Sequence, residues 1–264
     1  MSEEEKNIVT YELDGEIALV GLNRPDKRNC FNPDVMKALR AAIERAGEEA
    51  KCGIIFGHGD NFCAGLDLRW LDSLGSTPSI ADLQRGLSDF QSAIIAVVRS
   101  PIPVLAVVQG TVAGFGFDLA LACDMRLAGS SATFTSAFAR MGLVPDGGST
   151  FTLPRLVGVG RALRVLMTDQ SIDAQAALSI GMVEEVFDDA DLEAGVTRVT
   201  GALVAGAHSS VRAIKRLSRA QEVGALEQAL STEGAAQLQA LQSAEFRTRL
   251  QAFTTKTLAK RAGS

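Results

Sequence analysis

GTVAGFGFDLALACD, residues 110–124, is the stretch on which the predicted fold depends. The apolar run before it, residues 103–108, is rich in β-branched residues and predicts a buried strand. Three glycines then permit a tight turn or the close approach of a ligand, and the apolar pattern from residue 117 predicts a helix. Free N–H groups and the positive end of a helix dipole collect at such a junction. It therefore suits a phosphate, a carboxylate or an oxyanion, unless the glycines serve only tight helix–sheet packing.

Composition and charge limit the class of protein. The chain has 264 residues, of which 47% are hydrophobic and 22% charged, enough for one large core or a core with a smaller appendage. The net charge of −5 and the lack of a long basic run argue against a nucleic-acid partner. An acidic N-terminus and short apolar runs predict a soluble, cytoplasmic protein that does not enter a membrane. Four cysteines without CxxC spacing and two histidines predict neither a metal site nor a disulfide framework.

Local signals predict alternating strands and helices. Residues 14–15, Asp-Gly, form a hairpin turn signal between two short apolar runs, and residues 32–33, Asn-Pro, are typical of a helix start. Residues 80–98 have the spacing of a long amphipathic helix. Beyond about residue 189 the chain is helical and charged in character, which predicts a core of residues 1–200 and a helical region of residues 201–264.

Three motifs, at their observed separations, resemble the crotonase superfamily of enoyl-CoA hydratases and isomerases. They are FCAGLDL at residues 62–68, the glycine-rich stretch quoted above and GLVPDGG at residues 142–148. LNRPDKRN at residues 22–29 and FTTK at residues 253–256 fit the two ends of the family pattern. The resemblance implies an α/β fold, a spiral of ββα turns, and an acyl-CoA substrate without a separate cofactor.

The resemblance also implies that the helical C-terminal region forms homotrimers, often stacked as hexamers. The apolar spacing in that region fits such an assembly, because it predicts helix faces that a lone spiral could not all cover. These positions are Val211, Ile214, Leu217, Leu226 and Leu230.

Two backbone N–H groups are implied to bind the thioester carbonyl. Leu66, at the variable position of AGxD, supplies one, and Phe115, in the middle of the glycine trio, supplies the other. Phe115 stands where the family often has glycine, which is tolerable because only the N–H is needed, although the ring must find room. Two fixed donors, one of them at a helix N-terminus, stabilise the negative charge that an enolate develops on the thioester oxygen.

Four residues are assigned to coenzyme A by the same resemblance. Arg28 matches a position that binds the phosphates, and Ala64 matches a backbone contact to adenine. Phe253 and Lys256 match a C-terminal pair that reaches coenzyme A, often from a neighbouring subunit. For Arg28 and Lys256, a solvated surface charge is the alternative interpretation.

The acidic residues depart from the hydratase pattern. Hydratases hold a water between two glutamates, but the first position here is Asp118, one methylene shorter, and the second is Phe138, which cannot transfer a proton. Asp146, in GLVPDGG, falls where some isomerases and the chlorobenzoyl-CoA dehalogenases of the superfamily have their working acid. A single base can take a proton from C2 and return it to C4, and a partly apolar pocket would raise the pKa of a carboxylate to suit this transfer.

The leading hypothesis is therefore a Δ3,Δ2-enoyl-CoA isomerase, with Asp146 as proton shuttle and Asp118 secondary. An enoyl-CoA hydratase is the second hypothesis and would need both aspartates to hold the water. A hydrolytic dehalogenase would need a histidine near the acid, and neither histidine is suitably placed. A homologue that binds acyl-CoA without catalysis would be expected to lack acidic residues at these positions, yet Asp118 and Asp146 are both present. A Rossmann dehydrogenase is disfavoured because the glycine stretch lacks the third glycine of GxGxxG.

The acidic residues also have alternative interpretations in which their roles are structural rather than catalytic. Asp118 fits a first-turn acid that complements the helix dipole, and Asp146 fits a turn former. Asp67 is interpreted as the cap of a helix that begins there.

Overall fold

The computed structural model describes residues 7–75 and 79–262, with side chains up to residue 255. The strands are β1 (Val9–Asp14), β2 (Ile17–Leu22), β3 (Cys52–Gly57), β4 (Val104–Val108), β5 (Thr111–Ala113), β6 (Met125–Gly129), β7 (Thr133–Thr135), β8 (Ile172–Asp173) and β9 (Glu185–Phe187). The helices are α1 (Pro33–Glu49), α2 (Leu68–Ser73), α3 (Ile80–Arg99), α4 (Phe115–Ala122), α5 (Ser149–Val157), α6 (Val159–Thr168), α7 (Ala174–Ser179), α8 (Leu192–Ala205), α9 (His208–Arg219), α10 (Glu222–Leu241) and α11 (Ala244–Ala262).

Successive strands alternate between two sheets. The larger sheet has the order β1-β2-β3-β4-β6-β9, in which the β1–β2 hairpin is antiparallel and the other pairs are parallel. The smaller sheet has the order β5-β7-β8. In β4-β5-α4, and again in β6-β7-α5, one strand joins the large sheet, the next joins the small sheet, and a helix follows. These repeated ββα turns form the α/β spiral that the sequence resemblance predicts.

Local sequence signals are confirmed where the chain enters its elements. The predicted turn at Gly15 joins β1 to β2. Asn32 caps α1, since its side-chain oxygen accepts a hydrogen bond from the Val35 N–H at 3.0 Å, and Pro33 is the first helical residue. The predicted helix after the glycine-rich stretch is present as α4, but it already begins at Phe115, so Gly116 lies within its first turn.

The C-terminal helices pack against the spiral. α8 contains residue 200 and contacts β3, β6 and β9, so the division between residues 1–200 and 201–264 stays a prediction. α9 is fixed by Lys215, whose buried ammonium donates to the carbonyls of Val97 at 3.2 Å and Ile102 at 2.8 Å and pairs with Asp124 at 2.7 Å. No helix in the described part of the chain is both long and apolar enough to cross a lipid bilayer.

One expectation about exposed apolar faces is wrong. Leu226 and Leu230 of α10 are buried in the main core, because this helix packs against α3 and α5. Ile214 and Leu217 of α9 are exposed, as the spacing predicts. The apolar face of α10 therefore belongs to the interior of the subunit.

Candidate active site

The FCAGLDL loop lies against the glycine-rich stretch through short backbone pairing. Cys63 donates to the carbonyl of Thr111 at 3.0 Å and accepts from the Ala113 N–H at 2.9 Å. Gly65 has φ +94°, and a Cβ on it would lie 2.9 Å from the Ala113 carbonyl oxygen. A side chain at this position would therefore push the two loops apart.

The two N–H groups predicted to bind the thioester oxygen follow directly from this pairing. On one side of Leu66, Gly65 accepts from the Phe31 N–H, and on the other side Asp67 donates to the Phe31 carbonyl, both at 2.8 Å. The Leu66 N–H is not used by this bridge and donates to none of the described residues; the same holds for the Phe115 N–H at the start of α4. The structure thus brings two unused donors to neighbouring loops, one of them at a helix N-terminus.

The Phe115 ring finds room in the core. It packs edge-on against Phe31 and Phe90, with ring centroids 6.0 and 4.8 Å apart. Gly116 allows α4 to approach the other loop, because a Cβ on it would lie 2.7 Å from the Cys63 Cβ. The first turn of α4 is thus fixed by its core-facing ring on one side and by a close contact on the other.

Asp118, in that first turn, is only 1% exposed and faces the loop that carries Asp146. Its Oδ2 accepts a hydrogen bond from the Gly147 N–H at 2.9 Å, while Oδ1 lies buried beside the Ser149 hydroxyl without a well-formed hydrogen bond. Burial raises the pKa of Asp118 well above its usual value, and the charges of Glu233 and Asp146 raise it further. Asp118 therefore lies in the first turn of α4, as the helix-dipole interpretation predicts. Its raised pKa, however, favours the neutral carboxyl group over the charged form that would complement the dipole.

Asp146 is partly exposed and lies beside Asp118 and two side chains of α10. Its Oδ2 accepts a hydrogen bond from the Gln237 amide at 3.1 Å, and its backbone carbonyl accepts one from Gln91 of α3 at 3.1 Å. Desolvation raises the pKa of Asp146 to about 7, with a further rise from the charge of Glu233 and an opposing effect of the Gln237 hydrogen bond. A carboxyl group with this pKa can both take and return a proton at neutral pH.

Glu233 and Gln237 were not identified from the sequence. Glu233 is 5% exposed and accepts hydrogen bonds from the Gly148 N–H at 2.7 Å, the Thr150 N–H at 3.0 Å and the Thr150 hydroxyl. Burial raises its pKa, and these three donors oppose the rise. A signal was present, because Glu233 and Gln237 continue the helical stripe that Leu226 and Leu230 begin, so two polar residues interrupt an otherwise apolar face.

Phe138 packs among apolar side chains. It is buried in an apolar cluster with Leu71, Leu83, Leu143 and Phe246, and Leu66 packs against this cluster. The position that carries the second glutamate in a hydratase is therefore part of an apolar wall beside the predicted oxyanion site.

Two of the predicted coenzyme A residues lie together. Ala64 donates its N–H to the Arg28 carbonyl at 2.9 Å, so its own carbonyl is the group left for a ligand contact. Arg28 is exposed and has φ +49° at the end of a short 3₁₀ turn. Phe253 lies on α11 and is 43% exposed, whereas the side chain of Lys256 lies outside the described residues. The roles of all four residues stay predictions.

Asp67 has the structural role predicted for it. Its side chain accepts hydrogen bonds from the Arg69 and Trp70 N–H groups at the start of α2. It also pairs with Arg24 at 2.8 Å, which connects the residue 22–29 segment to the oxyanion loop. The residue therefore fixes the loop that carries Leu66.

The structure thus combines a ββα spiral, two unused N–H donors and neighbouring acidic side chains, which is the arrangement predicted from the sequence for an enzyme that stabilises an oxyanion and transfers protons. The chain belongs to the enoyl-CoA hydratase/isomerase family of the crotonase superfamily, since the family model matches residues 12–260. It is 35% identical over 248 residues to a "Probable enoyl-CoA hydratase" of Rhodobacter capsulatus, covering 94% of this chain and 95% of the relative.

Two further relatives extend the comparison. The chain is 31% identical over 261 residues to the 1,2-epoxyphenylacetyl-CoA isomerase of Escherichia coli, covering 97% of this chain and 95% of that protein. The crystal structure of an enoyl-CoA hydratase from Bacillus halodurans has a TM-score of 0.88 at 25% identity and covers 93% of this chain and 100% of that one. The family thus includes relatives named for both hydration and isomerisation.

Proposed function

We propose that the protein is a Δ3,Δ2-enoyl-CoA isomerase in which Asp146 shuttles the proton. The observation that carries this proposal is the state of Asp146: one oxygen is hydrogen-bonded to Gln237, and burial raises its pKa to about 7. An isomerase is also favoured over a hydratase by Phe138. This residue stands where hydratases have their second glutamate, and here it contributes only to an apolar wall.

The reaction follows from this arrangement. The thioester oxygen accepts hydrogen bonds from the Leu66 and Phe115 N–H groups, and the Asp146 carboxylate removes a proton from C2. The electron pair of the broken C–H bond delocalises into a dienolate, whose negative charge lies largely on the thioester oxygen. Protonated Asp146 then delivers the proton to C4, and the double bond moves from C3–C4 to C2–C3. No water is consumed.

The remaining parts of the substrate are assigned as the resemblance implies. Arg28 and Lys256 attract the phosphates of coenzyme A, the Ala64 carbonyl contacts adenine, and Phe253 belongs with Lys256 to the C-terminal pair that reaches coenzyme A. The open carbonyl of Ala64 beside exposed Arg28 supports this assignment.

An enoyl-CoA hydratase is the second candidate. It is favoured by the grouping of Asp118 with Asp146 and by the name of the Rhodobacter relative. The burial of Asp118 argues against it, because that carboxyl group already accepts the Gly147 N–H and has little contact with solvent. A non-catalytic acyl-CoA-binding homologue would have no use for a carboxyl group with the pKa of Asp146.

Isomer-resolved product analysis tests the proposal. The enzyme is incubated with 3-enoyl-CoA and, separately, with 2-enoyl-CoA of the same chain length, and products are separated by chromatography. We expect 2-enoyl-CoA from the first substrate and little 3-hydroxyacyl-CoA from the second. Rapid hydration of 2-enoyl-CoA, with 3-enoyl-CoA left unchanged, would favour the hydratase.

We also infer a homotrimer or a dimer of trimers. α6 has exposed apolar residues one helical turn apart, Val159, Leu163 and Met167, and α9 has Ile214 and Leu217. Exposed stripes of this kind are typical of subunit interfaces. Sedimentation that gives a monomer at micromolar concentration would contradict the assembly.

A further inference from the structure

The polar stripe of α10 contacts the Asp146 loop at two points one helical turn apart. Gln237 contacts the loop before α5 at Val144 and Asp146, and Glu233 contacts the last loop residue, Gly148, and Thr150 in the first turn of α5. We propose that Gln237 positions Asp146 for proton transfer, while Glu233 acts on the same carboxyl group as a fixed negative charge. This inference rests on the proposed function, because it assigns Asp146 as the proton shuttle.

Gln237 is suited to orient a carboxyl group because both ends of its amide are used. Its Oε1 accepts a hydrogen bond from the Val144 N–H at 3.1 Å, which directs its Nε2 toward Asp146 Oδ2, also at 3.1 Å. The side chain is 3% exposed, so water does not compete for these contacts. The Gln237 amide therefore fixes the orientation of the Asp146 carboxyl group through Oδ2.

Three donors favour the charged form of Glu233 and oppose the rise in its pKa that burial causes. An ionised carboxylate only accepts hydrogen bonds, and Glu233 accepts from two backbone N–H groups and one hydroxyl at the start of α5. Its charge makes a second negative charge nearby less favourable. The other groups that face Asp146 are Asp118 of α4, an acid, and Gln91 of α3, which is neutral; within the described residues no lysine or arginine pairs with Asp146.

The two residues are therefore expected to act on Asp146 in opposite directions. The Gln237 hydrogen bond stabilises the Asp146 carboxylate, whereas the Glu233 charge destabilises it. A purely structural role of α10 would not produce opposite effects from two residues of one helix face. This difference in sign is what an experiment can detect.

The experiment compares Gln237→Met and Glu233→Gln with the unaltered enzyme. Ionisation of Asp146 is followed in the free protein by carbon-13 NMR of labelled aspartate carboxyl groups, with Asp146→Asn to assign the signal. We expect the Asp146 titration to move to higher pH in Gln237→Met and to lower pH in Glu233→Gln. The acidic limb of kcat/KM for 3-enoyl-CoA should move the same way, because the base must be deprotonated to act.

Kinetics at a pH where Asp146 is ionised separate positioning from charge. Gln237→Met should lower kcat by about 10- to 100-fold with little change in KM, because a misplaced base affects the chemical step. Glu233→Gln should change kcat less. Gln239→Leu, an exposed position on the same helix, is the matched control and should change neither. If Gln237→Met does not fold, Gln237→Asn retains the amide but is one methylene too short.

Each outcome bears on one claim. Titrations that stay in place, or that move in the same direction in both variants, would overturn the inference even if activity falls. Opposite shifts of the Asp146 signal in a protein that does not isomerise 3-enoyl-CoA would support the α10 assignment and reject the proposed function.

Discussion

The N–H donors and the acidic residues of the candidate site are positioned by different parts of the chain. The Leu66 and Phe115 N–H groups are backbone atoms, and their loops are joined by pairing between neighbouring turns of the spiral. Asp146 lies on a loop that is contacted by α3 and α4 and, in addition, by two side chains of α10, with the Gln237 hydrogen bond spanning 91 residues of sequence. The half with the N–H donors thus belongs to the spiral itself, whereas the acidic half combines groups of the spiral with side chains of the C-terminal helix α10.

This difference determines which amino-acid substitutions the donor half and the acidic half of the site can each tolerate. A backbone donor does not depend on its own side chain, so Phe115 can replace glycine as long as the ring packs elsewhere, as it does against Phe90. The same half is sensitive to an added Cβ where the loops touch. The acidic half is sensitive to substitutions that change charge or hydrogen bonding without adding volume.

The largest effect is expected from Asp146→Asn. The amide keeps the shape and polarity of the side chain but removes the base, and general acid–base catalysis contributes about 10²- to 10⁴-fold in rate. Isomerisation of 3-enoyl-CoA should fall by that factor in steady-state kinetics. Binding should change little, because the two N–H groups proposed to bind the thioester oxygen are backbone groups that the substitution leaves in place. Near-normal turnover in the variant would exclude Asp146 as the shuttle.

Gly116→Ala tests the backbone half. Its Cβ would lie 2.7 Å from the Cys63 Cβ and 2.8 Å from the Cys63 carbonyl oxygen, so the start of α4 must move away from the other loop. Loss of one oxyanion donor costs about 3 kcal/mol in the barrier, on the order of 100-fold in kcat. Gly201→Ala in α8 is the matched control, because no atom lies within 4 Å of its added Cβ. Equal activity of the two variants would contradict the importance of this contact.

The same division explains how much the sequence predicted. The helix cap at Asn32 and the strand before the glycines depend on neighbouring residues, and the structure confirms both. The motifs also predict that the two loops carrying Leu66 and Phe115 lie together, as they do, while their oxyanion role stays a prediction. The spiral itself was predicted from the resemblance of the motifs to the crotonase superfamily, and the repeated order of strand, strand and helix agrees with it.

The contribution of α10 was missed for a physical reason. Helical spacing indicates that Leu226, Leu230, Glu233 and Gln237 share a face, but it does not indicate which loop that face meets. We assigned the apolar part of the face to subunit contacts, and the structure instead directs it into the core and against the Asp146 loop. A buried glutamate and glutamine in an apolar stripe are the signal that could have corrected this.

A smaller change in activity, but a pH-dependent change in stability, is expected from Asp118→Asn. The pKa of Asp118 is raised in the folded protein, so its contribution to stability is complete below its unfolded pKa of about 4 and is lost as pH rises toward the folded pKa. Asparagine does not ionise, so the variant does not lose stability in this way as pH rises. Its side chain can also accept a hydrogen bond from the Gly147 N–H and donate one to the Ser149 hydroxyl. In urea unfolding, the variant should gain stability over the unaltered protein as pH rises from about 4.

Activity gives the second readout for Asp118→Asn. Because the neutral form of Asp118 is already favoured, kcat for 3-enoyl-CoA should fall by less than about 10-fold, below the usual range for loss of an acid or base. A loss as large as that of Asp146→Asn would indicate that both aspartates take part in proton transfer, as the hydratase hypothesis requires.

The smallest effect is expected from Lys256→Ala, which asks whether the C-terminal helices also contribute to substrate binding. An ion pair at a protein surface contributes up to about 1 kcal/mol, so loss of one pair with a phosphate should weaken the acyl-CoA affinity by about 2- to 5-fold in calorimetric titration. The loss should be greater at low ionic strength, because salt screens this attraction. Lys37→Ala on α1, which removes the same charge from an exposed position, is the control.

Arg28→Ala makes the corresponding change on the spiral side. If it weakens binding and Lys256→Ala does not, coenzyme A depends on the spiral alone, and the C-terminal helices contribute only to the acidic half of the site.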